Sequence, residues 1–358
     1  MSGIVADFVV FGSTPLARLL AGLLADLHGR RVVQVGDSPS THRLTRGIDI
    51  SVAPITRPES WALLGPSIDE TLKLVARLAG RNAWSHVDPV FFTDNRRAEE
   101  ALSHLRHMAQ GFGIAAEPTP PSLLGGSRTG IHLRDAVRLH RAVLEPAIET
   151  WLERSGVLRL NPETVTIESD GSAVLGTDGA PLHARQAILA DDDAIIAHLP
   201  REQWPALLFR QQAASILAIS PAKLAAPIML DIHSGLTLIQ RENGLAAIGL
   251  GEMGRVSGQT RAILDQNHPL EQSGQTSFAV LATSDGAPAV GRAGGTGADI
   301  VAGMGMSGSF LTPALARWLC GESAGQEEAA WFGARLVSRA EKPTSVGEFM
   351  PFAERVTA

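Results

Sequence analysis

The chain of 358 residues has no tyrosine and a single cysteine, Cys320. The first absence removes tyrosine from every catalytic role. The second excludes a disulfide framework and a cysteine-based zinc site within the chain. No uninterrupted apolar run reaches the roughly 18 residues of a membrane span. No basic n-region precedes the first apolar stretch, so a signal peptide is not read and a cytoplasmic location is expected. Basic residues number 31 against 37 acidic, for a net charge of -6, and no basic run stands out. A nucleic-acid groove therefore has no electrostatic footprint.

What remains is ordinary globular composition, 44% hydrophobic and 19% charged, long enough for two domains and a large core. Residues 6–11 read as a buried strand ended by Gly12. Leu16, Leu19, Leu20, Leu23, Leu24 and Leu27 then recur at helical spacing, and Arg31 to Val35 read as a second strand. This is a βαβ opening. Residues 58–112 read as helical, with candidates at 67–80 and 95–111. The Pro- and Gly-rich stretch Ala115 to Thr129 reads as a loop, and Leu133 to Ser155 as an amphipathic helix. A strand pair is expected at Val165 to Ile167 and Ala173 to Leu175, with a third strand at Ala187 to Ala190. Short alternating segments over 213–250 predict an antiparallel sheet. A helix is expected over 258–272, before a Gly-rich α/β stretch at 278–320.

The dinucleotide fingerprint G-x-G-x-x-G uses its glycines for a tight turn, for close approach to a pyrophosphate and for helix packing. Here the loop reads Gly12-Ser13-Thr14-Pro15-Leu16-Ala17. Gly12 fits and Ala17 is tolerated at the third position. Thr14 replaces the middle glycine, where its Cβ would crowd a phosphate and its hydroxyl could donate to one. The acidic residue that would bind a ribose is expected at Gly36, with Asp37 one place later. A nucleotide loop and a plain strand–turn–helix both remain open on this stretch.

The C-terminal third carries a longer ordered pattern. Thr283-Ser284-Asp285-Gly286-Ala287-Pro288 leads through Val290-Gly291 to Gly303-Met304-Gly305-Met306-Ser307-Gly308, followed by a helix at Leu315 to Leu319. This resembles the closing segment of the D-amino-acid-oxidase-like family, which includes glycine and sarcosine oxidases and D-amino-acid dehydrogenases. In that family a T-x-D-G-x-P turn precedes a Gly-rich loop that covers a flavin. Small residues there let backbone approach a planar ligand. Leu133 to Gly156 and the Leu236 to Gly249 hairpin agree with the family in order and spacing.

The resemblance implies an α/β fold. It has a Rossmann-like FAD-binding domain from discontinuous segments (1–60, 130–200 and 280–358) and a substrate domain with an antiparallel sheet (61–129 and 201–279). It implies FAD as cofactor and oxidation of a C–N bond of a small amine or amino-acid-like substrate, with hydride passing to the flavin. The residues carried over for the cofactor are Gly12, Ser13, Thr14, Ala17, Asp37, Gly303, Gly305, Met306, Ser307 and Gly308.

The sequence departs from the family in three places. Thr14 and Gly36 alter the nucleotide motif. The family's carboxylate-gripping arginine, just before T-x-D-G, is replaced by Val280 and Leu281; Arg241 and Arg292 are the candidate substitutes. The family's Ala-Gly pair after the strand ending at Ala190 becomes Asp191-Asp192-Asp193. A triple aspartate would repel a flavin phosphate, so a solvated loop is expected there. Two alternatives follow: a cofactor-weakened, non-catalytic member acting as a partner subunit, and a flavin monooxygenase or tailoring enzyme. His104 and His107 share a helical face but lack a third metal ligand. His42 lies where some relatives attach flavin, in a context that reads as surface. Cys320 is expected to be a buried structural residue, and Ser13, Ser307 and Ser309 lack a nucleophile elbow.

Overall fold

The computed structural model describes residues 5–36, 44–220, 222–264, 270–341 and 347–349. Two eight-stranded sheets dominate it. The first runs in the order Ala289–Arg292, Asp299–Ala302, Leu182–Leu189, Val5–Phe11, Val32–Val35, Leu158–Leu160. Its central strands are parallel. Thr164–Ile167 and Ala173–Gly176 extend it as the expected antiparallel pair. Val9 and Val10 are fully buried, as continuous burial of a parallel strand requires.

The helix Pro15–Asp26 follows the first strand. Thr14 caps it, its Oγ1 accepting from the Ala17 amide at 3.3 Å, and Pro15 pre-sets the first turn. Leu19, Leu20, Leu23 and Leu24 are buried in the main core cluster. Gly22 is required where Trp151 of the helix Arg141–Arg154 crosses: a Cβ there would fall inside the indole ring.

The second sheet runs Glu271–Thr283, Leu208–Ile219, Gly244–Leu250, Thr237–Arg241, Ile228–Asp231, Val90–Thr93, Thr129–Leu133, Ala116–Pro118. All its pairings are antiparallel except Ile228–Asp231 with Val90–Thr93. The alternating pattern over 213–250 is thus a sheet.

Three sequence expectations need correction. The helix expected over Leu133 to Ser155 starts only at Arg141; Ala136–Leu139 is a strand paired with Trp84–Val87. Residues 58–112 are two helices, Pro58–Ala79 and Arg96–Gly111, separated by the strands Trp84–Val87 and Val90–Thr93. The stretch Ala115 to Thr129 is not all loop: Ala116–Pro118 is an edge strand and Pro121–Leu124 a helical turn. Where a strand interrupts an expected helix, pairing with a segment distant in sequence decides the local structure. The helix expected over 258–272 is Met253–Ile263.

Candidate functional site

Strand order reverses at Val5–Phe11: its helix leads to Val32–Val35 on one side, while Leu182–Leu189 flanks the other. Open α/β sheets bind ligands outside the carboxyl ends of the strands at such a point. Here a cavity of about 290 Å³ opens there, between the parallel sheet and one face of the antiparallel sheet. Thr14, Pro15 and Leu16 form one wall, and Gly303 to Met306 another. The sheet face contributes a cross-strand row, Leu250, Ala213 and Phe278, with Thr237 opposite Ile248.

Of the charged groups in the cavity, Arg46, Asp49 and Arg141 come from segments that the sequence did not single out. Asp49, 5% exposed, accepts from Arg141 Nε at 2.5 Å and from Ser309 Oγ at 2.6 Å. Burial opposes the charge on Arg141, but the Asp49 carboxylate beside it holds its pKa above the ordinary arginine value. The Nη atoms of Arg141 have no hydrogen-bond partner among the described residues. Arg46 bonds Asp193 at 2.8 Å and lies 5.2 Å from the centroid of the Phe278 ring. Half-buried Arg138 follows along the strand leading to Arg141. Burial lowers its pKa, and the charges of Arg241 and Arg141 lower it further.

The triple aspartate is not a solvated loop. Asp191 is the N-cap of the helix Asp192–His198, its Oδ1 accepting from the Ala194 amide at 2.9 Å. Its Oδ2 accepts from the amides of Ser13 at 2.7 Å and Thr14 at 3.2 Å. Burial raises its pKa against the pull of these three amides. Asp192 accepts from the Leu281 amide at 3.1 Å, and burial pushes its carboxyl up to about 7. Only Asp193 stays exposed. The overlooked signal was a helix start, an Asp N-cap three residues before buried Ala194 and Ile195.

Of the residues carried over for a cofactor, Thr14, Gly303, Gly305 and Met306 line the cavity. Gly303 and Gly305 have φ of 69° and 51°, a left-handed backbone that glycine accepts without strain. Gly12, with φ 144°, stands behind the loop, and Ala17 is fully buried beneath it. The Ser13 amide points at Asp191. Ser307 turns its hydroxyl away, to the Ile50 carbonyl at 2.9 Å. Gly308 serves packing: a Cβ there would lie 2.7 Å from Leu16 Cδ1. Asp37 and His42 lie outside the described residues.

The two candidate substrate arginines are not in the cavity lining. Arg241 is exposed at the far end of the Thr237–Arg241 strand, and Arg292 is exposed and bonds Gln186 at 2.8 Å. Asp285 of the T-x-D-G turn is buried and paired with Arg339 through two 2.7 Å bonds, a structural role. Cys320 is half-buried. With His28 and Glu322 it forms a trio of possible metal ligands among the described residues. That trio already carries a cation, because Arg30 bonds Glu322 at 3.2 Å.

No protein-family model matches the chain, and neither does any curated protein sequence. Solved structures do. Glycine oxidase from Geobacillus kaustophilus superposes with a TM-score of 0.70 at 15% identity, covering 92% of this chain and 98% of that one. L-proline dehydrogenase from P. horikoshii gives 0.70 at 16% identity, with 92% and 97% covered. Iminodiacetate oxidase from Chelativorans sp. BNC1 gives 0.64 at 19% identity, with 88% and 94% covered. These likenesses show the fold: across nearly its whole length the chain folds as these oxidoreductases fold.

A flavin dinucleotide would meet two different surfaces here. At the ring end, the Gly303 to Met306 backbone and the Ala213, Phe278 and Leu250 row leave a flat, largely apolar space open to a planar group. At the phosphate end, the loop amides that would receive a pyrophosphate are already bonded to Asp191. With that carboxylate in place the residues present do not fit the whole dinucleotide.

Proposed function

We propose that the chain is an oxidoreductase that oxidises a C–N bond of a small amine bearing a carboxylate, bound in the cavity between the two sheets. The cavity itself carries the reading. It lies at the strand-order reversal, is walled by left-handed glycines on one side and an apolar sheet face on the other, and holds guanidinium groups. The fold of glycine oxidase, iminodiacetate oxidase and L-proline dehydrogenase supports the reaction class. In this reading the parallel sheet's segments would hold the cofactor and the antiparallel sheet would hold the substrate. Flavin, when bound, supplies the two-electron acceptor.

The chain's own residues supply recognition and proton handling. The free Nη atoms of Arg141 receive the substrate carboxylate, while Asp49 and Ser309 fix the guanidinium plane. Asp192, whose carboxyl titrates near neutrality, takes the proton from the substrate ammonium and leaves the amine lone pair free. Phe278, Ile248 and Leu250 keep water from the reacting carbon.

The test is turnover by purified protein supplied with FAD and an artificial electron acceptor, across glycine, L-proline, iminodiacetate and their decarboxylated analogues. Carboxylate-bearing amines are expected to react, with Arg141→Met raising KM about 100-fold and leaving kcat less affected. Equal rates for amines with and without the carboxylate would overturn the assignment of Arg141. A second reading, a non-catalytic partner subunit, draws on one observation, the Asp191 carboxylate at the loop. Absence of turnover together with a stable complex with a catalytic subunit would favour it.

A further inference from the structure

The Asp191 carboxylate occupies the position that a ligand phosphate takes in a dinucleotide fold. It lies outside the carboxyl end of the first strand, against the Ser13 and Thr14 amides of the turn that leads into a 12-residue helix. Gly12 is shaped around it: a Cβ at that position would lie 2.8 Å from Asp191 Oδ2 and 2.8 Å from Ala17 Cβ. The one glycine kept from the fingerprint therefore admits the chain's own anion. The Thr14 hydroxyl is turned back to cap the helix and does not face outward. Behind the loop, Gln34 Nε2 donates to the Gly12 carbonyl at 2.8 Å and fixes the strand ends. The loop amides and Gly12 thus both serve an internal carboxylate that is 9% exposed.

We propose that Asp191 is an internal plug of the dinucleotide phosphate site, so that FAD binds only when this carboxylate leaves the Ser13 and Thr14 amides. The inference rests on the flavin reading above and adds a condition to it. A pyrophosphate entering with Asp191 in place would meet a like charge at contact distance and find its two amide donors taken. With Asp191 removed, the donors and the positive helix end become free. Wild-type protein is then a weak, exchangeable FAD binder, and loss of the carboxylate alone makes it a tight one.

The experiment titrates FAD, and separately inorganic pyrophosphate, into wild-type protein, Asp191→Asn and Asp191→Ala. Binding is followed by flavin fluorescence and by calorimetry. Asp191→Asn keeps the side-chain shape and an oxygen for the Ala194 amide, so it guards against a variant that fails to fold; circular dichroism checks both. The expected result is FAD affinity about 100-fold higher in both variants than in wild type, with pyrophosphate binding gained in parallel. If wild type binds FAD as tightly as the variants, the plug is overturned and the flavin reading stands. If the variants gain pyrophosphate but not FAD, the plug stands and the flavin reading falls. If folded variants bind neither, both fall.

Discussion

Asp192 makes a prediction in which stability and activity move in opposite directions with pH. Its carboxyl is pushed up to about 7 by burial, from an ordinary 3.8. The folded chain therefore holds a proton at this position that the unfolded chain has already lost between pH 4 and 7. Unfolding releases that proton, so this residue's contribution to stability is fullest below pH 4, declines as pH rises and levels off above 7. At about 1.4 kcal/mol per pH unit the interval corresponds to about 4 kcal/mol at most, and partial solvation reduces it. The assay is urea unfolding of wild type and Asp192→Asn at several pH values from 4 to 8. The asparagine keeps an acceptor for the Leu281 amide and cannot ionise. Its stability relative to wild type is expected to rise through this window by a few kcal/mol. In the FAD-supplied enzyme, kcat/KM is expected to increase with pH around 7 and to lose that limb in the variant. A stability difference that stays constant from pH 4 to 8 would refute the burial argument.

Two further predictions concern the scaffold that holds the cavity. Arg335, 1% exposed, donates to Glu348 and Ser60 at 2.8 Å each and lies 3.9 Å from the Trp331 ring centroid. Arg335→Met leaves the Glu348 carboxylate buried with Arg57, at 3.5 Å, as its remaining counter-charge among the described residues. It should cost about 3–5 kcal/mol in denaturant unfolding, and Arg335→Met/Glu348→Met should recover most of it. Gly22→Ala forces a methyl into the Trp151 ring. A loss of about 1–3 kcal/mol is expected, with a shift in tryptophan emission; an unchanged melting temperature would show that the two helices part freely.

The fold was legible where a local pattern and its tertiary setting agree. The leucines of 16–24 lie on a helix buried in the core, and the alternation over 213–250 lies on a sheet. Legibility failed where a short segment is held by a partner far along the chain. Ala136–Leu139 looks helical by its neighbours, yet it pairs with Trp84–Val87, and Asp49 and Ile50 bond its far edge. The arginines of the cavity were hidden for the same reason. Nothing local joins Asp49 to Arg141, 92 positions later, or to Ser309, 260 positions later. Arg241 and Arg292 lie near the family's motifs in sequence, whereas the cavity is assembled by topology.

The aspartates show what a charge argument can establish from sequence alone. Three carboxylates beside a phosphate are repulsive, and from that premise a solvated loop followed. The premise holds, but it excludes a phosphate and an ionised Asp191 together; it does not say which of the two occupies the site. A helix N-terminus satisfies any anion with the same amides. A carboxylate supplied by the chain loses no translational freedom in reaching them, which a ligand must. Three amides at 2.7, 2.9 and 3.2 Å are what the chain offers in return for burying the charge. The Gly-rich segment at 303–308 and the altered loop at 12–17 are therefore compatible. Under the proposed plug, the first offers a surface for a planar ring, and the second makes occupancy of that surface conditional on where Asp191 lies.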